Sequence, residues 1–221
     1  MSLVDVCFIT HLNSENRVKL FVQTFESFIQ NTNFNLVKSI TRVDDASPVP
    51  IISEIPNMTY IKNEKQSGVG FSKNLAVAQG TAKYVYLSDT DVFFTENWLD
   101  KLLKAYQDNK DYFKLLGGGI HPYLLPRQGE DGIGITSHDA ISGWSWLLER
   151  KIWNKYGPLD SHAIGSGQSE DWAFSRKLVE DGYKVGCLKN QVISHCGVTN
   201  TENKLVLGSE LFKRLDGVLY L

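Results

Sequence analysis

Short β-rich runs alternate with helical stripes through the first half of the chain, and that alternation limits the fold more than any other feature of the sequence. VDVCFIT at 4–10 reads as a strand, and residues 17–30 follow with Val18, Phe21, Val22, Phe25, Phe28 and Ile29 on one helical face. LVKSITRV at 36–43 and MTYIKN at 58–63 read as strands, 71–79 as a helix closed by Gly80, and YVYLS at 84–88 as a further strand. Over 97–107, Leu99, Leu102, Leu103 and Tyr106 recur at the spacing of a buried stripe. This order predicts an α/β layered domain with a largely parallel sheet, in which ligands bind outside the carboxyl ends of the strands. From 117 to 135 the chain is rich in Gly and Pro, which predicts a long loop, with 120–140 placed to close over a site as a lid. Regularity returns with ISGWSWLLERKIW at 141–153, the turn YGPLD at 156–160, a helical stretch within 165–182 and a final strand-like run at 183–196.

Acids recur where these strands end. Asp44 and Asp45 follow the second strand, Asp89 and Asp91 follow YVYLS, and Glu170 and Asp171 open the last helix behind Ser169. In an extended segment residues i and i+2 face one side, so Asp89 and Asp91 point at one place and need a positive partner between them. A divalent cation, a basic side chain and bulk water are the candidates. Asp-Asp-Ala-Ser-Pro at 44–48 is also good turn chemistry, and acids in a first helical turn favour the helix dipole by about 0.3–1 kcal/mol without any catalytic task. Carboxylate oxygens suit Mg2+ or Mn2+, ions that share their octahedral shell among protein, water and phosphate.

The ordered set VDVCFIT, VDDAS at 43–47, GVGFSKN at 68–74, YLSDTD at 86–91, GWSWLLERKIW at 143–153, GQSEDWAFSRKL at 167–178 and ISHCG at 193–197 resembles the metal-dependent glycosyltransferases of the GT-A fold, especially the family-2-like inverting enzymes. The likeness runs from about residue 3 to 197, and within the family it extends to the glycosyltransferase domains that large algal viruses encode to decorate their capsid protein. What the resemblance implies is specific. Asp91 ligates Mn2+ or Mg2+, Asp89 and Thr90 meet the donor's ribose or the metal, and His195 adds a ligand. Thr10, Asp44 and Asp45 hold the nucleotide base and ribose, while Lys73 and Asn74 approach the nucleotide. Asp171 is the base that takes the acceptor hydroxyl proton, and Glu170 steers the acceptor. Gly143 and Trp144 lie at the acceptor side, where Trp144 or Trp146 offers an aromatic wall to a sugar ring, unless these tryptophans belong to the core. For His195 a core histidine, and for Lys73 a solvated lysine, are the bland alternatives.

The expected activity is transfer of a hexose from a nucleoside diphosphate donor, UDP-linked, to a hydroxyl acceptor on a glycan or glycoprotein, with inversion. Sugar-phosphate nucleotidyl transfer would need a Gly-rich loop after the first strand, and THLNSENR at 10–17 contains no glycine. A non-catalytic carbohydrate-binding module would leave Glu170 and Asp171 without a task. No G-x-x-x-x-G-K occurs, so a P-loop is excluded.

Composition narrows the remaining classes. With 23 basic against 25 acidic residues and no long Lys/Arg cluster, the chain lacks the electrostatic footprint of a nucleic-acid binder. No apolar stretch reaches the roughly 18 residues of a membrane span. Three cysteines without zinc-type spacing, Cys7, Cys187 and Cys196, predict reduced, buried thiols and a cytoplasmic setting. Residues 1–221 read as a single domain, and the apolar ending LFKRLDGVLYL suggests the N-terminal part of a longer protein. His11, His121, His138 and His162 sit in no motif and default to structural or exposed roles.

Overall fold

A computed structural model describes residues 2–49, 55, 58–119, 135–160, 170–189 and 191–196. VDVCFIT is strand β1 (Val4–Thr10), buried at all seven positions, as expected for a strand covered on both faces. Next come α1 (Glu15–Asn31), β2 (Val37–Asp44), β3 (Met58–Lys62), α2 (Val69–Ala78) and β4 (Tyr84–Ser88). The chain continues through β5 (Val92–Phe94), α3 (Trp98–Asn109), β6 (Phe113–Gly117), β7 (Ile135–His138), β8 (Ser145–Glu149) and α4 (Arg150–Tyr156). It ends, among the described residues, with α5 (Glu170–Glu180), β9 (Lys184–Leu188) and β10 (Ile193–His195).

Eight strands form one sheet in the order β3-β2-β1-β4-β8-β6-β9-β7. The block β3-β2-β1-β4 is parallel throughout, and β6 runs parallel to β9. Strand β8 enters antiparallel between β4 and β6, and β7 pairs antiparallel with β9. The parallel block is the expected one, whereas the mixed half reflects β8, which returns along β4 with Ser88 opposite Ser145. Strand order reverses between β1 and β4, so the carboxyl ends of these two strands flank a switch point, where open α/β sheets bind ligands.

The pleat divides the core into two layers. Val4, Val6 and Phe8 of β1 face α1 and α3, in an aromatic cluster where Phe8 meets Phe25 at 4.7 Å and Phe94 meets Trp98 at 4.7 Å between ring centroids. Cys7 and Ile9 face the opposite layer, with Ala76 and Val77 of α2, Ile152 and Trp153 of α4, and Phe174 and Leu178 of α5. The expected stripe of α3 is buried in full. On α1 the expected face is corrected: Val22 and Ile29 are exposed, and Thr24 and Ser27 take buried places. Hydrogen bonding explains the rotation. Thr24 Oγ1 donates to Val92 O at 2.7 Å and accepts from Val92 N, and Ser27 Oγ accepts from Phe94 N, so α1 turns its hydroxyls to the edge of β5.

The run expected as one strand at 183–196 divides into β9 and β10, and β10 pairs antiparallel with β5 in a separate two-stranded sheet. Strand β7 falls partly within the stretch expected to be loop, and 120–134, where most of the expected lid lies, is outside the described residues, as are Ser169, His121 and His162. All three cysteines are free and buried, and burial pushes the Cys7 and Cys187 thiols up to about 12. Among the described residues no helix is long and apolar enough to cross a membrane.

Candidate metal centre

Parallel pairing sets Phe8 of β1 opposite Ser88 of β4 and Thr10 opposite Asp44, so three strand ends open on one edge. The segment Asp89-Thr90-Asp91 leaves that edge under backbone restraint from both sides. Asp89 N donates to Trp144 O at 3.0 Å, Thr90 Oγ1 to Ile9 O at 3.4 Å, and Cys196 N to Asp91 O at 2.8 Å. Because His195 pairs with Val92 in the small sheet, the imidazole arrives beside Asp91. Its ring also packs on Trp144 at 5.3 Å between centroids, which orients it. The ligand atoms of Asp89, Asp91 and His195 lie within 4.8 Å of one another.

Asp91 is the informative member. Its Oδ2 accepts from Arg17 Nη1 at 3.1 Å. Oδ1, buried and 3.4 Å from His195 Nε2, has no hydrogen-bond partner among the described residues. A buried carboxylate oxygen without a donor costs about 1–3 kcal/mol or more, a penalty that a cation would remove. Two carboxylates and an imidazole are an acceptable donor set for Mn2+, and the carboxylates suit Mg2+. The site therefore fits a divalent ion.

Asp89 turns about a third of its side chain to the cleft, and burial pushes its carboxyl up to about 6. Lys73, whose Nζ is 4.0 Å from Asp89 Oδ1, opposes that rise, while Asp91 adds to it. The cleft, about 530 Å3, has the size of a small-molecule site and is lined by Asp45, Asp89, Thr90, Asp91 and His195 together with Ile9, His11, Asn13, Arg17, Gln66, Gly68 and Val69.

Asp45 spends its carboxylate on the loop that leads into α2: Oδ1 accepts from Asn63 Nδ2 and Ser67 N, and Oδ2 accepts from Gly68 N at 2.9 Å. Gly68 adopts φ of 90°, a conformation glycine tolerates without strain, and so the loop can double back on Asp45 along one wall of the cleft. Asp44 and Thr10 do not line the cleft. Asp44 is wholly buried, accepting from Ser47 N and Tyr60 Oη, and lies 4.0 Å from Arg42 Nη2. Thr10 Oγ1 donates to Val43 O and accepts from Arg42 Nε. Both serve a buried arginine whose guanidinium sits over Phe21 and Tyr60.

Lys73 is buried, which excludes the solvated alternative. It donates to Gly143 O at 2.9 Å and stands 3.9 Å from Glu170 Oε1 and 4.0 Å from Asp89 Oδ1, so one ammonium links the acids of α5 to those after β4. Asn74 faces elsewhere: its amide pairs with both backbone groups of Leu159. Asp171, in the first turn of α5, accepts from Gly143 N at 2.8 Å and from Trp172 N at 2.8 Å. Gly143 thus bridges Lys73 and Asp171, and a Cβ there would fall 2.6 Å from Lys73 Nζ, so a larger residue would have to move the lysine that Gly143 O holds. Trp144 and Trp146 are both buried, so neither forms an exposed wall. Trp146 stacks on Phe174 in the core. The exposed aromatic beside Asp171 is Trp172.

The sequence reading gave His11 a structural or exposed role and did not single out Arg17 or Trp172. His11 lines the cleft with Nδ1 2.8 Å from Asp45 O. Arg17 belongs to no motif, and only the folded approach of α1 to the segment after β4 reveals it.

No curated protein matches the sequence. Solved structures do match in fold. One is described as the crystal structure of GalNAc-T7 with UDP, GalNAc and Mn2+, at a TM-score of 0.69 and 15% identity over 87% of this chain and 43% of that one. Another is the mannosyltransferase PcManGT from Pyrobaculum calidifontis in complex with GDP-Man and Mn2+, at 0.65 and 14% over 90% and 58%. The chain therefore spans about half the length of these two proteins. Both share its layered α/β architecture, the GT-A fold anticipated from the ordered motifs. The family model for glycosyl transferase family 2 covers residues 8–163, from within β1 past Asp89, Asp91 and α4 but short of α5 and His195, and with that match the chain belongs to glycosyl transferase family 2.

Proposed function

We propose that the protein transfers a sugar from a nucleoside diphosphate donor to a hydroxyl acceptor on a glycan or glycoprotein, with inversion, using Mn2+ or Mg2+ held by Asp91, His195 and Asp89. The observation that carries this reading is Oδ1 of Asp91, which lacks a hydrogen bond among the described residues and stands 3.4 Å from His195 Nε2 in a cleft lined by three acids. When bound, the cation supplies positive charge to the diphosphate leaving group. UDP is the expected nucleotide, and the two solved structures above hold UDP and GDP-Man with Mn2+.

The remaining steps fall to the chain's own groups. Asp45 stiffens the cleft wall through Gly68, and His11 and Asn13 offer polar atoms beside it. Asp171 receives the acceptor proton: two backbone N–H groups fix its orientation, and a carboxylate retains further lone pairs for a hydroxyl. Glu170, held near Lys73, steers the acceptor. Exposed Trp172, rather than Trp144, is the aromatic surface for a sugar ring.

Incubation with a panel of nucleotide sugars and Mn2+ tests the reading. Acceptor-dependent release of nucleoside diphosphate supports transfer. Release of pyrophosphate from a nucleoside triphosphate and a sugar phosphate would replace it with nucleotidyl transfer, and donor binding without turnover would reduce the protein to a binding module.

A further inference from the structure

We infer that Arg17 is a positioning residue that limits Asp91 to one-oxygen coordination, so that the site selects small six-coordinate cations over Ca2+. This deepens the proposed function and rests on its metal site.

Three observations carry the inference. The backbone of Arg17 is fixed where it stands, because its N–H donates to the capping Ser14 Oγ at 3.3 Å in the first turn of α1. The side chain then reaches across the cleft to Asp91, and the pair is well shielded, with 22% and 7% of the two side chains exposed. Finally, the two oxygens of Asp91 stand in different states: Oδ2 accepts from Nη1 at 3.1 Å, while Oδ1 faces His195 without a hydrogen-bond donor among the described residues.

A carboxylate whose second oxygen is engaged by a charge-assisted hydrogen bond offers a metal one oxygen only. Mg2+ demands a near-ideal octahedron at about 2.0–2.1 Å and takes single oxygens well. Ca2+ takes six to eight ligands at about 2.3–2.6 Å and gains from carboxylates that bind through both oxygens. With two carboxylates and one imidazole available, the loss of one oxygen weighs most on the ion that needs most ligands. The guanidinium also repels any cation, but that effect is common to all divalent ions and leaves their ratio unchanged.

Binding of Mn2+ alone to the full chain, followed by water-proton relaxation and then displaced by Ca2+, reads the ratio without any turnover. Wild type is expected to prefer Mn2+ over Ca2+ by at least tenfold. In Arg17→Met, and in Arg17→Gln as a polar alternative should the first variant misfold, Ca2+ gains and the preference shrinks about tenfold. Arg17→Lys restores most of it. A rise in both affinities at constant ratio would overturn the inference while leaving the metal site in place. Failure of wild type to bind Mn2+ under any condition would remove the metal site, and the inference with it.

Discussion

Two buried aspartates mark opposite ends of the central strands, and they are finished differently. Asp5, near the start of β1, is saturated: Oδ1 accepts from Ser39 Oγ at 2.6 Å, and Oδ2 accepts from Ala82 N at 2.5 Å and Arg150 Nη2 at 2.7 Å. Arg150 is itself completed by the carbonyls of Ala82 and Val77, so the lower end of the sheet is locked by a closed polar network. Asp91, beyond the carboxyl end of β4, has an arginine on one oxygen, while the other stands 3.4 Å from His195 Nε2 with no hydrogen bond among the described residues. Burial alone does not separate a structural acid from a functional one. Completion of the hydrogen-bond shell separates these two, because a buried oxygen without a donor at the mouth of a cleft carries a penalty that an arriving cation would remove.

The largest effects should come from removing each acid. Asp91→Ala is expected to abolish Mn2+ binding and to lower transfer by about 100-fold or more, with a stability loss near 1 kcal/mol or less, because losing the shielded Arg17 pair is offset by removing the penalty of the unbonded Oδ1. Asp5→Ala should do the reverse, costing about 3–5 kcal/mol in urea unfolding because Arg150 and Ala82 N lose their acceptor, with metal affinity intact. Similar stability losses in both variants would erase the contrast between the two ends.

Gly143→Ala probes the link between the acids at the functional end. The new Cβ would sit 2.6 Å from Lys73 Nζ and 3.1 Å from Asp171 Cβ, so Lys73 must shift. An overpacking cost of about 1–3 kcal/mol is expected, together with a fall in transfer larger than the fall in donor affinity, since Asp171 is displaced with Gly143 N. Calorimetric donor binding beside single-turnover assays separates the two. Asp171→Asn should show the same pattern more strongly, about 100- to 10,000-fold in rate, whereas Glu170→Gln should act mainly on acceptor affinity.

The parallel half of the sheet was legible from its apolar runs, and so was the place of Asp89 and Asp91 after β4. Side-chain direction was harder. Asp44 and Asp45 are neighbours in sequence, yet alternation along β2 sends Asp44 to buried Arg42 and leaves Asp45 beside the cleft. Trp144 and Trp146 look alike in SGWSW, yet they are buried in different layers: Trp146 on interior strand β8, and Trp144, one residue before that strand, in the opposite layer beside His195. Lys73 reads as a helix-surface lysine until β8 and α5 bring Gly143 and Glu170 over it. Family resemblance singled out His195, but its contact with Asp91 depends on the pairing of β10 with β5, two three-residue strands that no local periodicity announces. Long-range pairing and the direction of individual side chains were the physical terms missing from the sequence.

The smallest expected effect is a pH dependence at Asp89, and its sign is fixed by the shift. Burial raises this carboxyl from 3.8 to about 6, with Lys73 opposing and Asp91 adding. Between those values the folded protein holds a proton that the unfolded chain has released, so stability falls as pH rises through that window. Full conversion of the shift would be about 3 kcal/mol, but a third of the side chain meets water, and screening reduces this to about 1 kcal/mol. Metal-free Asp89→Asn should therefore gain about 1 kcal/mol over wild type between pH 4 and pH 7, measured by urea unfolding at each pH. Cation affinity runs the other way: the carboxylate must be ionised to bind, so affinity is complete above about pH 6 and falls by up to about tenfold per unit below it. Lys73→Met removes the group that opposes the rise and should move that midpoint upward.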